Sequence, residues 1–392
     1  MKKLLITLTF ILAGTSAFAL PVKVGDDTID VYASVRAFTV FNHNDKGDIE
    51  SRDRSQFTMG LQSNSRVGMR WTQGNFFVNG EMGFGGDAAT SNPTLRLLYG
   101  DYKFAGGKSG RIRIGQMSTI VNTHSYYDRK LNQDNGLQGY GTIGEARRFG
   151  INYEIGSFSI SAVSMRQDSA NVTGLFTSGM GFSGVEFSEI MPRIEATYTI
   201  IPNLKVAGTY VSSSVVANNS ISGETDKRYS VNAGHITVIA NPQITKSTKI
   251  TASGFYSVNG GLYNEISIGG GFNNYESVNR NIWAAPVLKE AGKGDMYNTT
   301  VLGGAVAVVY KAFEAGFGIQ NADSDAWEDC QTGMGVYANY KFRVSNFRIT
   351  PEVGYMHSGD RGRSAITDGS GKVTVPQDTK GFQAGIQFRF DI

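Results

Sequence analysis

The chain alternates apolar and other side chains with a period of two over much of its length. From 29 to 38, the odd positions carry Ile, Val or Ala, and the even positions carry Asp, Tyr, Ser, Arg and Phe. A period of two places successive side chains on opposite faces of a β-strand. The segments 94–104 and 301–310 alternate less cleanly, so the pattern assigns no faces to them. The pattern predicts an all-β protein. Similar alternation recurs at 66–71, 148–153, 193–198, 334–341, 347–355 and 382–392.

The polar face of these predicted strands repeatedly carries charged side chains, such as Arg70, Arg148 and Glu195. A packed protein core does not tolerate such charges without partners, whereas the water-filled lumen of a membrane barrel does. We therefore predict a transmembrane antiparallel β-barrel whose apolar face points toward lipid.

The lengths of the connections support a barrel independently. Short connections alternate with long polar ones, which is typical of transmembrane barrels with short periplasmic turns and long extracellular loops. With a shorter loop near 85–93, this alternation predicts about sixteen strands. The short turns lie near 73–75, 105–110, 155–157, 201–203, 241–248, 311–312 and 344–346, and the long loops near 43–64, 118–146, 167–191, 215–230, 259–298, 321–331 and 358–379.

Aromatic residues gather beside the short turns. Amphipathic rings prefer the interface between membrane and water, so we interpret them as a periplasmic girdle. The general preference of aromatic residues for strands explains part of this enrichment. The residues are Trp71, Phe76, Tyr153, Phe158, Tyr310, Phe313, Tyr340, Phe342 and Phe347.

The amino-terminal segment has the three regions of a secretory signal peptide. Two lysines follow Met1, an apolar run extends from Leu4 to Leu12, and Ala17-Phe18-Ala19 forms a small-residue cleavage site. We predict that residues 1–19 are a cleaved signal peptide and that residues 20–392 form a single barrel domain.

Composition and motifs argue against several other classes of protein. A net charge of +3 and a single Cys330 give no case for nucleic-acid binding or for a disulfide scaffold. The segment 139–144 matches a glycine-rich dinucleotide motif, but a strand pattern rather than a helix follows it. The four histidines are scattered singly. We therefore predict no catalytic site and no cofactor.

One acidic loop is a weak candidate for a metal site. Asp323, Asp325, Glu328 and Asp329 supply the oxygen ligands that Ca²⁺ prefers, or they bridge lipopolysaccharide through divalent ions. A solvated acidic loop explains the same residues more simply.

The last strand carries the most specific signal in the chain. Gln383, Gly385, Phe388 and Phe390 resemble the carboxy-terminal assembly signal of outer-membrane proteins, in which a polar residue and a Gly precede two aromatic residues. That family usually ends on the aromatic residue, whereas this chain continues to Ile392. The resemblance implies recognition by the barrel-assembly machinery.

The whole mature chain resembles the sixteen-stranded trimeric porins of Gram-negative outer membranes. No single motif identifies a subfamily, and a DcaP-like porin that prefers anions or dicarboxylates is one candidate. In the porin family, the loop after the fifth strand folds into the pore and narrows it. Here the fifth strand would be 111–117, and the loop that follows it would be 118–146.

The resemblance implies a constriction in which acidic and tyrosine side chains of this loop face a wall of arginines. Opposed charges across a pore select polar solutes by charge and dipole. Some of these arginines would instead only pair with neighbours and stiffen the wall. The loop residues are Tyr126, Tyr127, Asp128, Asp134 and Glu145, and the wall residues are Arg36, Arg66, Arg70, Arg113 and Arg148.

The sequence thus predicts an outer-membrane channel for passive diffusion of small hydrophilic solutes. The basic residues predicted to face the lumen outnumber the acidic ones, which predicts a mild preference for anions. A homotrimer surrounded by lipid and lipopolysaccharide is implied by the resemblance. A substrate-specific channel for small carboxylates or phosphate is one alternative, and a barrel enzyme or a structural adhesin is an alternative of another class.

Overall fold

Sixteen antiparallel strands follow one another around a closed barrel in the computed structural model. The structure describes residues 22–25, 27–45, 54–62, 64–84, 93–105, 110–131, 136–144, 146–165, 182–219, 227–263, 266, 287–288, 296–324, 330–358, 366–367, 373–374 and 379–391. The strands are β1 Asp27–Asp45, β2 Arg54–Leu61 with Ser65–Gln73, β3 Phe76–Phe84, β4 Thr94–Lys103, β5 Arg111–Ser118, β6 Arg147–Ile155, β7 Phe158–Val163, β8 Phe182–Ile190 with Arg193–Ile201, β9 Leu204–Asn219, β10 Lys227–Ala240, β11 Thr248–Val258, β12 Thr299–Tyr310, β13 Phe313–Ser324, β14 Gln331–Tyr340, β15 Phe347–Ser358 and β16 Thr379–Asp391.

The barrel closes between its first and last strands. Strand β1 pairs with β16 from Ser34 opposite Asp391 to Asp45 opposite Lys380. Every backbone polar group in lipid needs a partner within the protein, and closure removes the two sheet edges that would leave such groups unpaired. Three short strands extend the sheet beside the turns, at Val22–Val24, Gln243–Thr245 and Phe342–Val344.

Two barrel strands contain a local interruption. In β2, the ladder breaks near Gln62, whose backbone N–H donates to the carbonyl of Arg36 at 2.8 Å. In β8, the break falls at Met191 and Pro192, where proline has no N–H to contribute to the ladder. Each strand resumes beyond its break and pairs with the same neighbouring strand.

The outer face of the wall is an apolar belt. Side chains such as Met59 and Leu302, which are 67% and 65% exposed, stand on this face, while their strand neighbours point into the lumen. The predicted all-β transmembrane barrel of about sixteen strands, with alternating short and long connections, is confirmed. No helix among the described residues is long and apolar enough to cross a membrane.

Several strands are longer than the sequence pattern predicted. Strands β9 and β10 extend to Asn219 and begin at Lys227, so they occupy much of the predicted loop 215–230. Toward this end their outer face becomes polar, and the Tyr210 hydroxyl donates to Asn232 at 2.9 Å. The apolar alternation therefore ends before the strands do.

The two segments with unclear alternation have separate explanations. In β12, the inward positions are apolar, for example Val301, Ala305 and Ala307, because a loop inside the barrel covers them. Along β4, the register of pairing with β3 shifts where β4 lies opposite Glu81 and Met82 of β3, and this shift changes the phase of the alternation. The predicted signal peptide 1–19 lies outside the described residues.

Candidate functional site

The connection between β5 and β6 folds into the lumen. We call its described residues, 119–131 and 136–144, the inward loop. Its two ends are held together at the neck, where Thr119 N–H donates to the Ala146 carbonyl at 2.9 Å and Thr123 N–H to the Ile143 carbonyl at 3.1 Å. The loop then crosses the lumen and contacts strands on the opposite side of the barrel.

Three buried glutamates of the wall accept hydrogen bonds from the loop backbone. Glu195 accepts from Ile120 N–H at 3.0 Å, and Glu314 accepts from Asp128 N–H at 2.7 Å. Glu352 accepts hydrogen bonds from the backbone N–H groups of Lys130 at 2.6 Å and Leu131 at 3.1 Å. Hydrogen bonds to a carboxylate are stronger than neutral ones, and they place the loop at fixed points on β8, β13 and β15.

Arg129 fixes the loop to the last two strands. This side chain is only 2% exposed, and it donates to Gln383 of β16 at 2.9 Å. Its Nε lies 3.8 Å from a carboxylate oxygen of Glu352. Burying a guanidinium is costly unless it is paired and hydrogen-bonded, so these partners restrict where the loop can sit.

A chain of ion pairs surrounds Asp128. Its carboxylate pairs with Lys130 of the same loop and, at 2.5 Å, with Lys341 just beyond β14. Lys341 also lies 2.8 Å from Glu314. Burial alone would raise the pKa of Asp128, but the two ammonium groups outweigh burial and lower its pKa from the ordinary 3.8 to about 2.

This shift predicts that acid loosens the inward loop. A carboxyl group with a lowered pKa stabilises the docked loop above its ordinary pKa, and that contribution is lost as the pH falls toward about 2. Channel current noise is expected to rise between about pH 4 and pH 2. The variant Asp128→Asn is expected to be noisy already at neutral pH. An equally large acid transition in Asp128→Asn would assign the effect to another group.

The underside of the inward loop is apolar. Leu137 and Tyr140 pack with Tyr127 against Ala305 and Met356. The Tyr127 ring is 2% exposed, and its hydroxyl donates to the Ala305 carbonyl at 2.7 Å. Tyr127 therefore anchors the loop to the wall, although we expected it on the surface of the pore. Burial raises its pKa to about 12.

A second segment also folds inward. Asn259 begins it, and the short 3-10 turn Gly260–Tyr263 is fully buried. Ile266 then packs with Ile143 of the inward loop and with Phe255. We expected the whole stretch 259–298 to form a loop outside the barrel, whereas its described residues 259–263 and 266 fold into the lumen and contact the inward loop.

Three of the five predicted wall arginines lie in two groups of charged residues on the wall. In the first group, the carboxylate of Glu81 on β3 accepts a hydrogen bond from Arg96 Nε at 2.6 Å. Its other oxygen lies 3.4 Å from Arg66 Nε. The Tyr32 hydroxyl donates to the same glutamate at 3.0 Å, and Arg70 stacks on the Tyr32 ring at 4.5 Å. The first group is therefore an arginine cluster organised by one acid.

In the second group, Asp101 of β4 accepts two hydrogen bonds from Arg113, at 2.6 and 2.9 Å. Arg111 lies between Asp101 and Glu154, at 3.4 and 2.5 Å. Arg113 also stacks on the Tyr99 ring at 4.4 Å. These contacts orient the guanidinium groups along the lumen wall.

The remaining predicted constriction residues lie elsewhere. Arg36 is buried on β1, and Arg148 is half-buried on β6. Asp128 pairs with lysines rather than with the arginine groups. Asp134 and Glu145 lie outside the described residues.

An open cavity remains beside the neck of the inward loop. It has a volume of about 410 Å³ and is lined by Tyr126 together with Arg113, Lys205 and several hydroxyl groups, including Thr197 and Thr199. The Lys205 ammonium donates to the Ile120 carbonyl at 3.0 Å. Tyr126 is thus the predicted loop residue that lines an open space, and burial raises its pKa.

The predicted assembly signal lies within β16. Gln383 and Gly385 are on its inner face, and Gln383 accepts the hydrogen bond from Arg129. Phe388 and Phe390 are on its outer face, and the Phe390 ring stacks on Phe347 at 4.3 Å. Recognition by the assembly machinery stays a prediction.

The weak metal candidate is only partly described. Asp323 stands exposed on the outer face of β13, and Asp325, Glu328 and Asp329 lie outside the described residues. Within the described part of the chain, no group of three or more His, Cys, Asp or Glu side chains is placed to hold a metal ion.

One histidine pairs with a serine. His43 Nδ1 lies 2.9 Å from the hydroxyl of Ser55, at the long-loop end of β1 and β2. A hydrolase also needs an acid that orients the imidazole and donors that stabilise an oxyanion. No described contact brings an acid to His43.

Comparison with known proteins establishes the fold. OmpT folded in vitro, an outer membrane protein of Vibrio cholerae, matches with a TM-score of 0.53 and 15% identity over 95% of this chain and 100% of that chain. The trimer form of the same protein matches with a TM-score of 0.50 and 14% identity over 94% of this chain and 100% of that chain. An anion-selective porin from Comamonas acidovorans matches with a TM-score of 0.50 and 13% identity over 93% of this chain and 100% of that chain.

No protein-family model and no curated protein sequence matches the chain. At sequence identities this low, similarity to these structures is evidence for the fold alone. Together with the apolar outer belt, the likeness to outer-membrane barrels supports an outer-membrane location.

Proposed function

We propose that the chain is a porin, a water-filled channel for passive diffusion of small hydrophilic solutes across the outer membrane. The observation that carries this proposal is the barrel lumen itself. It is lined by charged groups, and a loop pinned to one side narrows it. A polar lumen gives hydrated solutes a path through the hydrocarbon layer, and the fixed loop limits their size.

The proposal includes how the protein reaches its membrane and assembles. Residues 1–19 direct export, and the strand that contains Phe388 and Phe390 is recognised during insertion. The short turns face the periplasm and the long loops face outside. Three copies form the working unit, in accord with the trimer form of the similar OmpT structure.

The channel prefers anions in this proposal. The first arginine group contains three guanidinium groups, those of Arg66, Arg70 and Arg96, around the single carboxylate of Glu81. The second group is balanced, so the described excess of positive charge comes from the first. Excess basic charge along a pore attracts anions and repels cations. The anion-selective porin among the similar structures agrees with this direction.

Liposome swelling tests the proposed function. Vesicles that contain the purified protein are expected to swell quickly in small sugars and amino acids, and more slowly as the solute grows. Heat-unfolded protein from the same preparation is the control. If correctly folded protein caused no swelling with any small solute, the channel function would be wrong and an enzymatic or adhesive role would be tested next.

A further inference from the structure

Four neighbouring strands bring an arginine to the same rung of the sheet. Arg343 of the short strand Phe342–Val344 lies directly opposite Arg348 of β15. Arg348 lies opposite Arg389 of β16, and Arg389 lies opposite Arg36 of β1. The row crosses the seam where the barrel closes and is separate from the two arginine groups described above.

Such a row of like charges destabilises the sheet unless negative charge lies beside it. Side chains directly opposite each other have Cβ atoms about 5 Å apart, and like charges in that position destabilise a sheet. The row contains three such pairs in succession. An anion bound between these guanidinium groups would offset the repulsion between them.

One carboxylate is built into the row. Asp391 accepts from Arg389 Nε at 2.7 Å and from the Ser34 hydroxyl at 2.8 Å. Arg36 Nε in turn donates to the Ser34 hydroxyl at 3.1 Å. These bonds hold Arg36 and Arg389 in place. Four guanidinium groups and one carboxylate give the row a net positive charge.

Exposure increases along the row. Arg36 is buried, Arg389 and Arg348 are half-buried, and Arg343 is exposed at the turn that precedes β15. The row therefore leads from the interior of the lumen to the short-turn mouth of the barrel. A planar guanidinium binds carboxylate and phosphate through paired hydrogen bonds, which a simple ammonium group does not reproduce.

We propose that this row is an oxyanion-binding track at the short-turn mouth of the pore, with Arg348 and Arg389 as its central binding groups. The proposal rests on the channel function and names a solute class for it, small solutes that carry a phosphate or carboxylate group. An oxyanion that has passed the inward loop binds along the row and leaves at Arg343, toward the periplasm.

The test records chloride current through the full-length protein in planar bilayers while inorganic phosphate or succinate is added. Wild-type current is expected to fall as either oxyanion occupies the row. In Arg348→Gln/Arg389→Gln, half-block is expected to need about tenfold more of the added anion, because neutral amides replace the two guanidinium groups that bind it. Block by only one of the two anions would identify the group that the track prefers.

Two further variants keep the result interpretable. Lys246→Gln/Lys311→Gln removes the same charge from two other turns at this mouth and is expected to block like the wild type. Arg348→Lys/Arg389→Lys keeps the charge without the guanidinium fork, so it is expected to retain chloride preference and to lose most of the block. Unchanged block in the glutamine variant would overturn the track. Absence of any current from folded wild-type protein would instead overturn the channel function.

Discussion

Replacing both Glu314 and Glu352 with methionine is expected to widen the channel and roughly double its single-channel conductance. The change removes the acceptors of three loop amides, those of Asp128, Lys130 and Leu131. A hydrogen bond to a charged acceptor contributes about 1.5–3 kcal/mol. The substitution also removes the carboxylate of Glu352 from beside the buried guanidinium of Arg129, which costs further free energy.

The matched control is Glu154→Met. Glu154 is also a carboxylate of the lumen face, but its described partner is Arg111 rather than the loop. This variant is expected to change ion selectivity slightly and to leave the conductance near that of the wild type. If the double variant folded normally and conducted like the wild type, the glutamates would not be what holds the loop. Heat-dependent migration in electrophoresis reports folding in each case.

Gly318→Val is expected to displace the inward loop from the wall. A Cβ at position 318 would overlap the carbonyl oxygen of Tyr140 and come within 3.1 Å of the Leu137 side chain. On the loop side, Gly141 has a positive φ of 107° and rests against the backbone of Gly304, so this part of the loop cannot easily adjust. Overpacking of this kind costs about 1–3 kcal/mol.

Limited proteolysis measures the displacement. The inward loop is expected to resist protease in the wild type and to be cleaved in Gly318→Val, while the barrel strands stay intact. Gly80→Val is the control, because a Cβ there would meet only the end of the Leu98 side chain at 3.9 Å. Equal protection of the loop in Gly318→Val and Gly80→Val would mean that the loop does not depend on this close contact.

The fold could be predicted from the sequence because the barrel has only two environments for a strand residue. Lipid requires apolar side chains and a wet lumen accepts charged ones, so alternation reports the face directly. The alternation did not assign the two faces of β12, where Val301 and Ala305 face inward under the loop. Two-fold periodicity distinguishes the two faces of a strand, but it does not distinguish lipid from a covering loop.

The site was less accessible to sequence reasoning. The backbone of Asp128 binds Glu314, and Arg129 and Lys130 contact Glu352. These glutamates lie far from the loop in the sequence, and spacing carries no information about such contacts. One signal was available, since β13 and β14 each contain two glycines that stand two positions apart, Gly316 with Gly318 and Gly333 with Gly335. Glycine inside a strand can mark the close approach of another chain segment, and here Tyr140 of the inward loop lies against Gly318 and Gly335.

Recording single channels from the purified full-length protein in a planar bilayer tests the central claim most directly. The claim is that this barrel encloses an open, polar pore narrowed by a pinned loop. Stepwise current increases are predicted, and in a salt gradient the reversal potential is predicted to shift toward the equilibrium potential of the anion. Folded protein that inserts and gives no current steps would contradict the claim, because a water-filled lumen must carry ions.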